Sequence, residues 1–293
     1  MSIKVIKQVM PERAVKLLKN ARWRFQKARR EALPALTEAD FVRLLAEDLE
    51  LVEGDAVLVH SSTDGLKLDF SFGRVLALIR TVVGTRGTVL FPTYPGLPSY
   101  EFLARGEVFD VRRTPSYMGL LTEYARRQPG AVRSLHPTKS VCAVGRLARE
   151  LTATHHLSPY PYDRPSPYRK LVELGGKSVG LGVTSERMSL VHCAEDELRE
   201  AFPVRTYHPQ LFAARCIDEA GELVTVETYA HNLSKMNHHI PRFVRRHLSS
   251  SACRDLKIHG SNFFRADAAR LFEEMVRCAR EGVTIYPRSA ARD

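Results

Sequence analysis

Several protein classes are excluded by what this chain lacks. Its five cysteines (Cys142, Cys193, Cys216, Cys253, Cys278) are odd in number, scattered, and never spaced as Cys-x-x-Cys. That argues against a disulfide framework or a structural zinc site and fits a reducing cytoplasm. No uninterrupted apolar run reaches the roughly 18 residues that a membrane-spanning helix needs, and no apolar core follows the basic start of the chain as in a secretory signal. There is no internal repeat or low-complexity tract. A Gly-x-Ser-x-Gly elbow is also missing, and Gly182-Val183-Thr184-Ser185 does not substitute for one, which disfavours a serine hydrolase.

Acidic residues are nearly absent from one stretch. Residues 1–30 hold ten Lys or Arg against one acid, Glu12, so +9 of the net +11 belongs to that stretch and only +2 to the rest. The chain divides into a basic N-terminal extension (1–35), expected to be helical after Pro11, and a nearly neutral body (36–293). The extension reads either as a helix packed on the body with a solvated basic face or as an anionic-surface contact. A nucleic-acid or anionic-surface binder with a non-catalytic core is the alternative functional reading. Its support is confined to the extension, because the body carries no nucleic-acid motif.

The body alternates short apolar runs with amphipathic stretches, the pattern of an α/β architecture. Strands are expected at Ala56 to His60, Gly87 to Pro92, Ser140 to Val144, Lys177 to Leu181, Leu211 to Ile217 and Leu223 to Thr228. Helices are expected from Thr37 to Leu49, Phe72 to Val83, 118–128, Ser189 to Glu200 and Ala266 to Glu281. Thr37-Glu38-Ala39-Asp40 has the form of a capping start.

Two histidine-bearing segments about fifty residues apart carry most of the chemistry: Leu135-His136-Pro137-Thr138-Lys139-Ser140-Val141 and Ser189-Leu190-Val191-His192-Cys193-Ala194-Glu195. On a helix, residues three apart share a face, so Glu195 can orient His192, the usual preparation of a base near neutral pH. His136, biased to extended geometry by Pro137, is a second candidate, and which of the two is the principal base stays open. Cys193 points about 100° away from its neighbour on a helix, which disfavours a thiol nucleophile. His231, His238 and His239 read as a polar substrate-facing loop rather than a metal site, for want of acids or cysteines at ligand spacing. Asp110 and Glu186 are the carboxylates expected to attract a cationic acceptor.

The order Val59-His60-Ser61-Ser62, Gly87-Thr88-Val89-Leu90-Phe91-Pro92-Thr93-Tyr94, Phe109-Asp110 with Met118-Gly119, Arg133 to Ser140, Ser166-Pro167-Tyr168, and Gly180 to Val183 leading into His192-Cys193-Ala194-Glu195 resembles the aminoglycoside 3-N-acetyltransferase family over roughly residues 37–285. The resemblance implies an α/β/α-type acetyltransferase fold distinct from GNAT enzymes. It also implies direct transfer of an acetyl group from acetyl-CoA to an amine of an amino sugar or related small molecule, with no metal. It places the family's His-x-x-Glu on His192 and Glu195, its His-Pro-Thr-x-Ser on His136 to Ser140, and its coenzyme-facing loop on Ser61, Ser62 and Thr63. Two departures bear on the acceptor: Lys139 stands where family members commonly have a second histidine, and Glu186-Arg187-Met188-Ser189 replaces an Asp-x-Asn-Thr stretch. Oligomeric state, acceptor identity and the role of the extension are not legible in the sequence.

Overall fold

Strands that are apolar at every position must be covered on both faces, because successive side chains point to opposite sides of a sheet. The central strands of this protein are mostly apolar and buried at nearly every position in a computed structural model, which describes residues 34–234 and 238–286 together with Leu17, Ala21, Phe25, Ala28 and Ala32. The basic residues of the N-terminal extension lie outside the described residues.

The strands are β1 (Ala56–Ser61), β2 (Thr88–Pro92), β3 (Phe109–Asp110), β4 (Val132–Arg133), β5 (Val141–Gly145), β6 (Lys177–Leu181), β7 (Tyr207–Ile217), β8 (Leu223–His231), β9 (Cys253–Ile258) and β10 (Ser261–Asp267). Seven form one mixed sheet in the order β4-β5-β2-β1-β6-β10-β9, and β3-β7-β8 form a second. β1 runs parallel to both β2 and β6, whereas β5 and β10 pair antiparallel to β2 and β6.

The helices are α1 (Glu38–Arg43), α2 (Arg74–Val83), α3 (Ser99–Ala104), α4 (Leu120–Ala125), α5 (Ala148–Thr152), α6 (Pro167–Glu173), α7 (Cys193–Leu198), α8 (Ile240–His247) and α9 (Ala268–Arg280). On one face of the large sheet, Val57, Val59, Val89 and Phe91 pack with Phe41 of α1, Ile79 of α2 and Leu121 of α4. On the other, Ala56, Leu58, Leu90 and Ala143 pack with Leu171 of α6, Ala194 of α7 and Leu271 of α9. Alternate residues of the same strand thus feed two separate cores, which makes the large sheet the middle of an α/β/α sandwich, as expected. The expected capping box at Thr37 and Asp40 is present and starts α1.

Two expectations are corrected. The stretch from Ser189 to Glu200 is not one helix but a 3-10 turn (Ser189–His192), α7, and a second 3-10 turn (Arg199–Ala201). The β9–β10 hairpin was not expected as strands: Cys253–Ile258 alternates apolar with charged residues on a sheet edge and has no continuous apolar run. Gly180 of β6 allows β10 to pair with that strand, since a Cβ there would collide with the Phe264 ring.

Because β1 lies between β2, reached by one crossover, and β6, which adds on its other side, the carboxyl ends of β1 and β6 flank a switch point of the sheet. In open α/β sheets ligands bind at such points. The turn Thr63–Gly65 after β1 lies directly on Gly182 after β6: a Cβ on Gly65 would meet the Gly182 carbonyl, and Gly182 itself has φ +73°.

Candidate active site

His192 ends the 3-10 turn that follows β6, and Glu195 lies in the first turn of α7. Their spacing of three residues brings His192 Nδ1 to 2.8 Å from Glu195 Oε1. A carboxylate only accepts, so Nδ1 carries a proton in this contact. The histidine is 9% exposed and the glutamate 3%. Burial alone would raise the Glu195 carboxyl, but the charge and hydrogen bond of His192, with a contribution from His231, hold it well below the usual carboxylate range. The Tyr286 hydroxyl donates to the same Oε1 at 2.7 Å.

Residues distant in sequence close around this pair. His231, at the end of β8, lies with its ring 4.8 Å from that of His192, and its Nε2 is 3.7 Å from Glu195 Oε2. Burial pushes His231 down to about 3, so it is neutral. Tyr207 of β7 stacks on His231 at 4.4 Å and donates its hydroxyl to Asp196 at 2.7 Å. Asp196 also accepts from the Tyr162 amide at 2.6 Å, and burial pushes its carboxyl well up. Two adjacent acids therefore take opposite electrostatic roles, with Glu195 charged beside imidazole and Asp196 holding two tyrosines in place. His192, Glu195 and His231 each offer a ligand atom within 4.8 Å of the others, a set able to hold a metal ion. The loop reading of His231 missed this, because the acid it meets is supplied by α7.

On the near side, Tyr94 follows β2. Its hydroxyl donates to Ser189 Oγ at 3.0 Å and lies 2.7 Å from the Tyr168 hydroxyl and 3.3 Å from that of Tyr162. Tyr162 continues the cluster to His192, ring to ring at 5.1 Å. The Ser189 amide reaches His60 Nε2 at 3.5 Å and ties the His192 turn to β1.

The other candidates occupy distinct places. His136 is fully buried. Its Nδ1 accepts the amides of Thr138 and Lys139 at 3.2 and 3.1 Å, and its Nε2 faces Thr228 Oγ1 at 3.3 Å, so both nitrogens are engaged in holding the loop. Ser140 is buried with Thr93 and Arg133, donating to the Thr93 carbonyl at 2.8 Å. Ser61, Ser62 and Thr63 are half-buried at the carboxyl end of β1. Asp110 closes a turn by accepting the amides of Arg112 and Arg113, both at 2.8 Å. Glu186 accepts the Ile240 amide at 3.0 Å at the start of α8. All five cysteines are free and buried, and burial pushes the Cys193 thiol well up, which leaves it unreactive. A cavity of about 660 Å³ adjoins Tyr286, and its lining includes Arg242, Arg246 and His247 but no carboxylate.

Set beside known proteins, the chain matches a family profile described as aminoglycoside 3-N-acetyltransferase over residues 58–280. The aminoglycoside N(3)-acetyltransferase VII of Streptomyces paromomycinus is 36% identical over 175 residues, which takes in 52% of this chain. The chain spans only 58% of the length of that curated relative. Among solved structures, aminoglycoside acetyltransferase AAC(3)-Xa shares the fold with a TM-score of 0.70 at 24% identity, over 90% of this chain and 99% of its own. AAC-IIIb, solved as a binary complex with CoASH, gives a TM-score of 0.68 at 23% identity, over 86% of this chain and 98% of its own.

Proposed function

Because the chain belongs to the aminoglycoside 3-N-acetyltransferase family, we propose that it transfers an acetyl group from acetyl-CoA to the amine of an amino sugar or related small molecule, with His192 as general base. The observation that carries this reading is the 2.8 Å contact between His192 Nδ1 and Glu195 Oε1 beside the switch point of the sheet. The curated relative named above is an aminoglycoside N(3)-acetyltransferase, and the neighbour solved with CoASH is consistent with the coenzyme.

Acetyl-CoA supplies the acyl group as a thioester. An ammonium has no lone pair, so attack on the carbonyl carbon requires that the amine first give up a proton. The neutral amine attacks, His192 Nε2 takes an N–H proton as the new C–N bond forms, and the imidazolium returns that proton to the thiolate released when the C–S bond breaks. Glu195 stabilises the resulting imidazolium, and Tyr286 anchors the carboxylate by donating to the same oxygen. The coenzyme arm lies, in this reading, against the half-buried Ser61-Ser62-Thr63 turn, whose hydroxyls can meet an anion and which the close approach of Gly65 to Gly182 holds at the ends of β1 and β6. His136 and Ser140 support this site by holding the loop that leads into β5.

Thiol release on mixing the protein with acetyl-CoA and a panel of amines tests the proposal. Release with an amine, lost in His192→Ala, is the expected result. A folded protein that takes up no coenzyme by calorimetry, or releases no thiol with any amine, would overturn it.

A further inference from the structure

Lys139 brings an ammonium into the candidate site without a matching acid. Its backbone is fixed at both ends: the amide donates to His136 Nδ1 at 3.1 Å and the carbonyl accepts the Tyr168 hydroxyl at 3.3 Å. From there the side chain crosses Tyr94, with Nζ 4.7 Å from the ring centroid. Tyr94 is bonded to Ser189 and adjoins Tyr162, whose ring packs against His192, so two tyrosines in turn link the ammonium to the base. No carboxylate among the described residues lies within ion-pairing distance of Lys139 Nζ. Glu195 is near enough to favour its charge but is held by His192 and Tyr286. Burial lowers Lys139 to about 8, which leaves it mostly protonated at neutral pH.

Acids that could offset this charge are engaged elsewhere. Asp110 and Glu186 accept backbone amides, Asp196 is held by Tyr207 and Tyr162, and Glu197 lies 3.3 Å from Arg169. The cavity beside Tyr286 adds Arg242 and Arg246 to its lining and no carboxylate. A polycationic acceptor would therefore meet like charge on the tyrosine side of the base, whereas an acid group on the acceptor would supply a counter-ion for Lys139. A cation over an aromatic face is stabilised, and its N–H donors remain able to bond an anion.

We infer that Lys139 is a specificity-determining anion subsite, and that the acceptor is an amine bearing a carboxylate or phosphate rather than a polycationic aminoglycoside. This rests on the acyl-transfer reading and narrows its substrate class.

The test compares matched amines with and without an acid group, such as glucosamine and glucosamine 6-phosphate, together with sisomicin as a polycation. Wild type, Lys139→Met and Lys139→Glu are assayed for kcat/KM, and coenzyme binding is checked by calorimetry to establish that each variant is folded. The expected result is at least a tenfold preference of wild type for the acid-bearing member, lost in K139M and reversed in K139E, with the KM for acetyl-CoA changed less than twofold. A wild-type preference for sisomicin, or an unchanged ratio in both variants, overturns the inference alone. So does a raised KM for acetyl-CoA in K139M with the acceptor ratio intact, which would assign the ammonium to the coenzyme. Absence of thiol release from wild type with every amine overturns the acyl-transfer reading and this inference with it.

Discussion

Glu195 Oε2 and His231 Nε2 face each other 3.7 Å apart inside the protein, and neither atom has a hydrogen-bond partner. One edge of the carboxylate is thus bound by His192 and Tyr286, while the other meets a neutral imidazole without closing on it.

Zinc provides a test of that arrangement. Two imidazoles and a carboxylate form a recurrent zinc-ligand set, and here the three ligand atoms are within 4.8 Å of one another. Micromolar Zn²⁺ is expected to inhibit acetyl transfer reversibly, with recovery on adding chelator, because it would capture His192 and Glu195. His231→Ala should raise the inhibitory concentration at least about tenfold. Equal sensitivity in the variant would show that zinc acts elsewhere.

Removing the base should be the most damaging change to turnover. His192→Ala is expected to lower kcat/KM for the amine by at least about a hundredfold, within the range for loss of a general base, without weakening coenzyme binding. Glu195→Gln keeps the shape but removes the charge that stabilises the imidazolium, and should lower kcat more than KM. Near wild-type turnover in His192→Ala would reject the assignment.

Tyr286 tests how far Glu195 depends on the C-terminal segment. Tyr286→Phe removes a 2.7 Å hydrogen bond to a buried carboxylate, a loss of about 1.5–3 kcal/mol for a bond to a charged group. Reduced thermal stability together with a several-fold drop in kcat is expected. A variant indistinguishable from wild type in both would mean that the phenol does not anchor Glu195.

Buried histidines make the fold acid-sensitive. Burial pushes His60, His155 and His231 each down to about 3. Between about pH 6.5 and that value the unfolded chain binds protons that the native state refuses, so stability falls as pH drops. Each group contributes up to about 1.4 kcal/mol per pH unit in that window. Asp196, pushed upward, acts in the opposite direction, against these three and His136, which burial also pushes well down. Urea unfolding at pH 7.5 and pH 5 should show a markedly lower midpoint at the acid end, and a flat profile would contradict the burial of these imidazoles as neutral groups.

The preference attributed to Lys139 should follow its protonation. The ammonium is present below its value of about 8 and lost above it. The kcat/KM ratio of acid-bearing over neutral amine should therefore be constant near pH 7 and fall as pH rises through 8 to 9. A ratio constant across that range would separate selectivity from Lys139.

Much of the scaffold was legible because its signals are local. Lys177 to Leu181 shows as a strand in its apolar run, the box at Thr37 and Asp40 marks the start of α1, and the spacing of His192 and Glu195 already predicts their contact. The β9–β10 hairpin was hidden because its edge strand alternates with charge. The hydrogen bonds of His136 and Ser140 were hidden because a histidine or serine before a strand looks the same whatever partners folding brings to it, here the amides on His136 Nδ1 and the Thr93 carbonyl on Ser140.

The amino-acid order alone determined the layering and the dyad, since both depend on neighbours within a few residues along one strand or helix. Which second groups hold Glu195 was decided by the tertiary structure. His231 arrives on β8 and Tyr286 from beyond α9, 91 residues after the carboxylate it binds. The same packing made Glu195 an anion and raised the carboxyl of Asp196 beside it. The physical reason is that a buried group's charge depends on the partners and solvent around it, and those are assembled from distant parts of the chain.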